Sequence, residues 1–232
     1  PGGIDQISKK AMKVLQESEI IIGYIVYVDL IRDALKGKTF YSTPMTQEIE
    51  RCRAAIELAS KGKKVSVVCS GDAGVYGMAG LIYELVQDYD NVEVEVVSGI
   101  TAACSGAAVL GAPLTHDFAV ISLSDLLTPW DLIETRLECA SKADFVICLY
   151  NPSSRKRHDY LQKACDIVLK HRSPKTVCGY VQNIDRESES AVILTLQQLR
   201  DTNVNMYTTV YIGNSQTKEI QGKMVTPRGY SI

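Results

Sequence analysis

A glycine-rich turn at residues 70–77 separates an apolar run at 65–69 from a helical pattern at 78–86. A strand, a glycine-rich turn and a helix in this order are typical of an open parallel sheet, where ligands bind at the carboxyl ends of the strands. Asp72 in the turn would repel phosphate groups but can accept hydrogen bonds from ribose hydroxyls or an amine. The turn therefore predicts either a site for a nucleoside-like or cationic ligand or an ordinary connection with Asp72 as a helix cap.

The bulk properties of the chain exclude several function classes. With 232 residues, 46% of them hydrophobic, it can bury a full core and hold one large or two small domains. Its formal net charge of -2 provides no basic field that would gather nucleic acid or anionic lipid. No apolar run approaches the roughly 20 residues that span a bilayer, and the N-terminus lacks a signal pattern. We therefore expect a cytoplasmic protein without nucleic-acid or membrane partners.

The cysteines and histidines form no metal-binding pattern. The seven cysteines are scattered singly, with no C-x-x-C pair, and the three histidines lie far apart. Most of the cysteines fall in apolar runs, where a free cysteine packs as a small hydrophobe. We therefore predict no metal site. No nucleophile elbow or H-E-x-x-H motif occurs either, so covalent catalysis has little support.

Strand and helix patterns alternate along the first half of the chain. Apolar runs at 20–23, 65–69 and 92–97 predict strands, and helical periodicity covers much of the sequence between them. This alternation predicts a mostly parallel sheet with helices on its faces. Residues 1–3 are typical of a turn into a helix, so we expect a first strand to precede this segment.

The alternation breaks near residues 111–114. We place a domain boundary there, between an N-terminal α/β domain at 1–113 and a C-terminal α/β domain at 114–232. In the second half, three strands are predicted in succession after residue 175, with at most a short helix between them. The sheet of this half is therefore predicted to be mixed, with flanking helices.

A second turn of small residues, at 98–103, follows the strand predicted at 92–97. Small residues at a helix start leave backbone N–H groups accessible, and Thr101 adds a hydroxyl. Close helix packing explains the same residues equally well. If the two strands end at the same edge of a parallel sheet, Asp72 and Thr101 face one pocket.

Ser122, Ser124 and Asp125 form a polar cluster on a loop before the only tryptophan of the chain. Such a loop either binds a polar substrate edge or satisfies its own hydrogen bonds. Thr128 is predicted to cap the following helix, with Pro129 at the first helical position.

Three cations, Arg155, Lys156 and Arg157, follow the strand that ends at Tyr150. Guanidinium groups bind carboxylates in bidentate fashion, so an acidic small molecule is a natural partner. The alternative is a solvated basic helix start, although cations are unfavourable at the positive end of the helix dipole.

Taken together, these segments resemble the S-adenosylmethionine-dependent tetrapyrrole methyltransferases of cobalamin and porphyrin biosynthesis. The resemblance covers nearly the whole chain and implies a two-domain tetrapyrrole methylase fold with the cofactor in the cleft between the domains, and a homodimer. Besides the turn with Asp72 and the pair Thr101-Ala102, it is carried by residues 23–27, 48–52, 110–118, 121–130, 150–157, 212–214 and 226–230.

The resemblance also implies which residues contact S-adenosylmethionine and its product S-adenosylhomocysteine. They lie in turns that match the family's motifs, although the turn Asn183-Ile184-Asp185 departs from the small, glycine-containing family pattern. The implied cofactor-binding residues are Pro1, Ser70, Gly71, Asp72, Val75, Tyr76, Thr101, Ala102, Tyr150, Asn151, Gln182 and Ile184.

The implied reaction is transfer of the sulfonium methyl group to C17 of precorrin-3B or cobalt-factor III, coupled to ring contraction. Alignment of the reacting atoms would supply most of the acceleration. The cations at 155–157 would dock the carboxylate side chains of the tetrapyrrole, and Asp125, Ser122 or Ser124 would move protons. The alternatives are methylation of another precorrin carbon and a non-catalytic nucleoside-binding protein.

Overall fold

The computed structural model describes residues 2–154 and 157–231. It divides the chain into two compact units, Pro1–Thr101 and Ala102–Ile232. The domain boundary between residues 113 and 114 stays a prediction from the sequence. Three predicted site residues, Pro1, Arg155 and Lys156, lie outside the described residues.

The first unit contains a three-stranded parallel sheet with the strand order β2-β1-β3. Its strands are β1 (Ile20–Tyr24), β2 (Thr39–Thr43) and β3 (Val65–Val68). Its described helices are α1 (Lys9–Glu17), α2 (Ile25–Ile31), α3 (Glu48–Ser60) and α4 (Ala79–Leu85), with 3₁₀ turns at Ile4–Gln6, Asp33–Leu35 and Val86–Asp88.

Burial of β1 organises this unit. Ile21 and Ile22 are fully buried because β1 is the central strand and helices pack on the sheet. A Cβ at Gly23 would lie 2.5 Å from Cγ2 of its strand partner Val68, so only glycine allows the strands to pack in this way. Ser8 caps α1, because its side-chain oxygen accepts a hydrogen bond from the Ala11 N–H at 3.1 Å.

The strand predicted at 92–97 is wrong for this structure. Among the described residues, 92–101 pair with no strand. Both β3 and residues 92–97 line a cavity of about 630 Å³. In the part of the chain that the structure describes, the segment 92–97 therefore faces this cavity and forms no backbone hydrogen bonds with β3. Alternating apolar residues indicate which side chains of a segment are buried, but they do not show that a neighbouring strand is present to pair with it.

The second unit contains a five-stranded mixed sheet with the order β5-β6-β9-β7-β8, and a three-stranded sheet with the order β10-β11-β4. In the larger sheet only β5 and β6 are parallel neighbours. The strands are β4 (Gly111–Ala112), β5 (Phe118–Ser122), β6 (Val146–Tyr150), β7 (Val177–Gln182), β8 (Ser190–Thr195), β9 (Thr208–Ile212), β10 (Lys218–Ile220) and β11 (Lys223–Val225). The helices are α5 (Ala102–Leu110), α6 (Trp130–Lys142), α7 (Tyr160–Leu169) and α8 (Leu196–Arg200).

The main core of this unit joins the larger sheet to α6, α7 and α8. Residues 146–149 of β6 are fully buried, as expected for a continuous apolar strand covered on both faces. The predicted helix start at Thr128 is wrong by one position. Pro129 has an extended backbone, with ψ 144°, and is itself the N-cap of α6.

The parallel sheet of the first unit and the mixed sheet of the second confirm the fold class predicted from the sequence. None of the described helices is long and apolar enough to cross a membrane.

The buried Arg172 ties three backbone segments of the second unit together. Its guanidinium donates hydrogen bonds to the carbonyl oxygens of Ala140, Phe145 and Gly213. Burial lowers the pKa of Arg172, so these carbonyl contacts offset the cost of placing a cation there.

We expect Arg172→Met to lower the free energy of unfolding by about 2–3 kcal/mol, because three carbonyl oxygens lose their donor while one buried charge is removed. Urea denaturation, followed by a probe in the second unit, measures this. Arg136→Met, at an exposed position of α6, is the control and should change stability by less than about 0.5 kcal/mol. Equal stability of the R172M protein and the wild type would contradict the account.

Candidate functional site

The Asp72 carboxylate joins two turns of the first unit. Its Oδ1 accepts a hydrogen bond from the Gly74 N–H at 2.8 Å, and its Oδ2 accepts one from the Gly99 N–H at 2.9 Å. The turns at 70–77 and 98–101 are thereby held side by side. Asp72 is not the cap of α4, because that helix begins at Ala79.

Glycines allow these turns to touch. A Cβ at Gly99 would lie 2.0 Å from the carbonyl oxygen of Gly71, and a Cβ at Gly77 would lie 2.4 Å from that of Ala73. Gly71 has a φ of +81°, a conformation that favours glycine. The close approach leaves backbone polar groups and the exposed Tyr76 ring at the surface of the turn.

The chemistry of these turns suits a hydroxyl or amine donor. Each oxygen of the Asp72 carboxylate has a second lone pair beyond the one used by a backbone N–H. The sequences of both turns contain no lysine or arginine, so a phosphate group would find no cation there and would be repelled by the Asp72 carboxylate. Predicted contact residues Ser70, Val75 and Thr101 lie in these same two turns.

Three strands of the second unit end at one sheet edge. β5 runs parallel to β6, and β7 has the same direction as β6 because both pair antiparallel with β9. The strand ends Ser122, Tyr150 and Gln182 therefore share an edge, and the predicted residue Asn151 follows directly. The structure brings these predicted residues to the edge where ligands are expected in such folds.

Two tyrosines hold the first turn of α5. The Tyr150 hydroxyl accepts a hydrogen bond from the Ala103 N–H at 2.6 Å. The Tyr211 hydroxyl lies 2.9 Å from the carbonyl oxygens of both Ala102 and Ala103, to which it donates its proton. Burial raises the pKa of Tyr211, so this proton is retained. The predicted residues Ala102 and Tyr150 are therefore neighbours.

Ile184 belongs to the core of the second unit. Its side chain is 5% exposed and packs in a cluster with Ala103 and Tyr211. A ligand at this turn would therefore meet the backbone of Ile184 rather than its side chain.

A hydrogen-bonded network connects the strand ends to the predicted catalytic loop. The Asn151 side-chain amide donates to the Ser122 hydroxyl oxygen at 2.9 Å, and the Ser124 N–H donates to the same oxygen at 3.2 Å. Ser122 therefore links the end of β6 to the loop that carries Ser124 and Asp125.

Asp125 is held from two sides. Nη1 of Arg157 donates to Asp125 Oδ1 at 3.2 Å and to the Ser124 hydroxyl at 2.7 Å. The Tyr160 hydroxyl donates to Asp125 Oδ2 at 2.7 Å. Tyr160 was not among the site residues predicted from the sequence. It is the first residue of α7, lies 35 residues from Asp125 and belongs to no local motif.

The hydrogen bond from Tyr160, together with Arg157, lowers the pKa of Asp125, and the same bond raises the pKa of Tyr160. At neutral pH Asp125 is therefore ionised and Tyr160 keeps its proton. Asp125 can accept a proton or a hydrogen bond but has none to donate. A carboxylate of a substrate would also compete with Asp125 for the Arg157 guanidinium.

The model of one protein family, Tetrapyrrole (Corrin/Porphyrin) Methylases, matches residues 1–200. The chain belongs to this family. The resemblance inferred from the sequence is thereby confirmed.

Known relatives match nearly the whole of this chain and support its assignment to the family. A protein of Salmonella typhimurium named as a probable cobalt-factor III C(17)-methyltransferase is 46% identical over 233 residues, covering 100% of this chain and 97% of the relative. The cobalt-factor III methyltransferase of Priestia megaterium is 46% identical over 235 residues, but the match spans only 44% of its length. A crystal structure of the methyltransferase CobJ has a TM-score of 0.89 at 31% identity, covering 96% of this chain and 94% of that one.

We expect Asp72→Asn to loosen the two turns, because an amide nitrogen would face one of the backbone donors that the carboxylate now accepts. Hydrogen exchange of the Gly74 or Gly99 amide should accelerate about tenfold or more. Asp90→Asn makes the same charge change at an exposed position of this unit and should leave both amides unchanged. Unaltered exchange in D72N would contradict the bridging role.

We expect Tyr160→Phe to raise the pKa of Asp125 towards its ordinary value, because the variant removes the hydrogen bond that most favours the charged carboxylate. Carbon-13 NMR titration of the Asp125 carboxyl group measures the change. Tyr230→Phe, at a residue that is 81% exposed, serves as the control. The account fails if Asp125 titrates identically in Y160F and the wild type.

Proposed function

We propose that this methylase transfers the methyl group of S-adenosylmethionine to C17 of cobalt-factor III or precorrin-3B, with contraction of the macrocycle, in cobalamin biosynthesis. The observation that carries the proposal is the 46% identity, over 100% of this chain and 97% of the relative, to a protein named for C17 methylation of cobalt-factor III. Such similarity over both whole chains favours the same reaction over methylation of another precorrin carbon.

The turns of the first unit fit the proposed cofactor. Tetrapyrrole methylases use S-adenosylmethionine, which supplies an electrophilic methyl group on a sulfonium sulfur. Asp72 has lone pairs for ribose hydroxyls or an amine, and the turns contain no cation for a phosphate group that this cofactor lacks. We assign the cofactor contacts of this unit to Ser70, Gly71, Asp72, Val75, Tyr76 and Thr101, with Pro1 outside the described residues.

We assign the remaining cofactor contacts to one sheet edge and one helix start of the second unit. Tyr150 and Asn151 follow the end of β6, and Ala102 begins α5 beside the Tyr150 hydroxyl. Gln182 and the backbone of Ile184 complete the set at the end of β7. Hydrogen bonds that fix Ala103 and Ser122 orient these residues before any ligand arrives.

The loop with Asp125 is our proposed site for proton movement. Because the Asp125 carboxylate is ionised, its proposed role is to accept a proton from the macrocycle, while Ser122 and Ser124 hold the loop. Arg157 is proposed to dock a substrate carboxylate by exchanging it for Asp125, which would free Asp125 when substrate binds. Arg155 and Lys156 remain proposed docking residues outside the described part of the chain.

We also propose that the protein forms a homodimer, as the resemblance implies, and that it is located in the cytoplasm, as the sequence predicts. Sedimentation velocity of the purified protein tests the first, and a single species with the mass of one chain would contradict it.

The proposed reaction is tested by incubating the protein with cobalt-factor III or precorrin-3B and methyl-labelled S-adenosylmethionine. We expect one labelled methyl group in the product, at C17 by NMR, and an absorption change from contraction of the ring. A label at another carbon would instead indicate a different precorrin methylase. Cofactor binding without any transfer to the tetrapyrrole would indicate a nucleoside-binding protein.

In the same assay we expect Asp125→Asn to lower turnover at least about 100-fold, because the amide cannot accept the proton. Asp131→Asn, an exposed acidic residue in the first turn of α6, is the matched control and should retain full turnover. Full turnover of D125N would remove Asp125 from the chemistry.

A further inference from the structure

Arg51 is a buried cation in the first unit, on α3. Only 2% of its surface is exposed. No carboxylate pairs with it in the part of the chain that the structure describes. Its guanidinium donates hydrogen bonds to neutral acceptors: Nε to the Thr43 hydroxyl at 2.9 Å, Nη2 to the Pro44 carbonyl oxygen at 3.1 Å and Nη1 to the Met78 sulfur at 3.2 Å.

Such a group is costly for the fold. Removing a charge from water without an opposite charge destabilises the folded state, and a thioether is a weak hydrogen-bond acceptor. A leucine or methionine at this position of an amphipathic helix would fill the space without that cost. The guanidinium is distinguished from an apolar side chain by its ability to bind three separate backbone or side-chain groups in one plane.

The partners of Arg51 belong to two loops at one edge of the sheet. Thr43 is the last residue of β2, and Met78 closes the glycine-rich turn that follows β3. All three strands of the sheet are parallel, and β1 lies between β2 and β3. Arg51 therefore connects the end of β2 to the residue that ends the turn after β3, the strand on the other side of β1.

The connection reaches the turn that carries Asp72. The residue after Met78, Ala79, donates its backbone N–H to the carbonyl oxygen of Ala73 at 3.0 Å. Ala73 is adjacent to Asp72 in the chain. A displacement of Met78 would therefore be transmitted to Asp72 through the Met78–Ala79 peptide, this hydrogen bond and the peptide that joins Ala73 to Asp72.

We propose that Arg51 is a positioning residue that sets the affinity for the methyl donor. It does so by holding Met78, the residue after the turn at 70–77, against the end of β2. The inference rests on the proposed function of this turn. Arg51 itself is too deeply buried to touch the ligand. Its effect is therefore expected in cofactor binding and not in the binding of the tetrapyrrole or in the chemical step.

The test measures S-adenosylhomocysteine affinity by calorimetry and steady-state kinetics with both substrates. We expect Arg51→Met to raise the Kd about tenfold, equivalent to about 1.4 kcal/mol. The KM for S-adenosylmethionine should rise in parallel, while kcat and the KM for the tetrapyrrole stay unchanged. Arg51→Lys keeps the charge but cannot reach all three acceptors, so it should give an intermediate Kd. Arg53→Met, at an exposed position of the same helix, should bind as the wild type does.

Two conservative variants keep the test decisive if R51M does not fold. Thr43→Val and Met78→Leu each remove one acceptor at nearly constant volume, and each should weaken S-adenosylhomocysteine binding while its melting curve shows that the protein is folded at the assay temperature. Wild-type affinity in R51K, T43V and M78L would overturn the inference while leaving the proposed function intact. An equal loss of kcat and of affinity for both substrates would also overturn it, since that is a general structural defect. A wild type that does not bind S-adenosylhomocysteine would overturn both.

Discussion

The two hydrogen bonds accepted by the Asp72 carboxylate are the constraint on which the candidate cofactor site depends. They join the turn at 70–77 to the turn at 98–101, and they place the Asp72 carboxyl group between two backbone donors. Gly99 is needed because a Cβ there would overlap the carbonyl oxygen of Gly71, and Gly71 itself has a positive φ that favours glycine. One acidic residue and a few glycines thus create a surface that accepts hydroxyl and amine donors and disfavours phosphate.

In the second unit, the segments of the candidate site are connected by neutral side chains instead of a carboxylate. Its strand ends are connected by neutral side chains, Asn151 to Ser122 and Tyr150 to Ala103, which add no charge to the sheet edge. Charge is concentrated one step away, on the loop with Asp125, where Arg157 and Tyr160 stabilise the carboxylate. This separation places an ionised carboxylate beside a guanidinium, a group that can also bind carboxylates. We propose that a tetrapyrrole with acidic side chains uses both groups.

Much of the fold could be predicted because its signals are local. The apolar run before residue 70 and the glycines after it predict a strand, a turn and a helix, and the structure confirms all three. The segment at 92–97 alternates just as clearly but forms no strand, because pairing depends on a neighbouring backbone that alternation does not report. β2 was not predicted, since its short mixed sequence has no strong periodicity.

The residues of the candidate site could be predicted from the sequence, but the hydrogen bonds between them could not. Glycine spacing and the position of Asp72 identify the turn, yet the bond from Asp72 to Gly99 spans 27 residues and follows only from folding. Tyr160 and Arg51 were missed for the same reason. Asp125 lies 35 residues from Tyr160, and Met78 lies 27 residues from Arg51. Although Arg51 falls in the segment 48–52, nothing in that segment indicates these contacts.

We propose that the turns joined by Asp72 bind the methyl donor, and an amide NMR titration with S-adenosylhomocysteine can test this proposal. We expect the largest changes in chemical shift at the amides of residues 71–76 and 99–101, with Gly74 and Gly99 among them. Saturable binding whose shift changes fall only on residues elsewhere in the chain would contradict it.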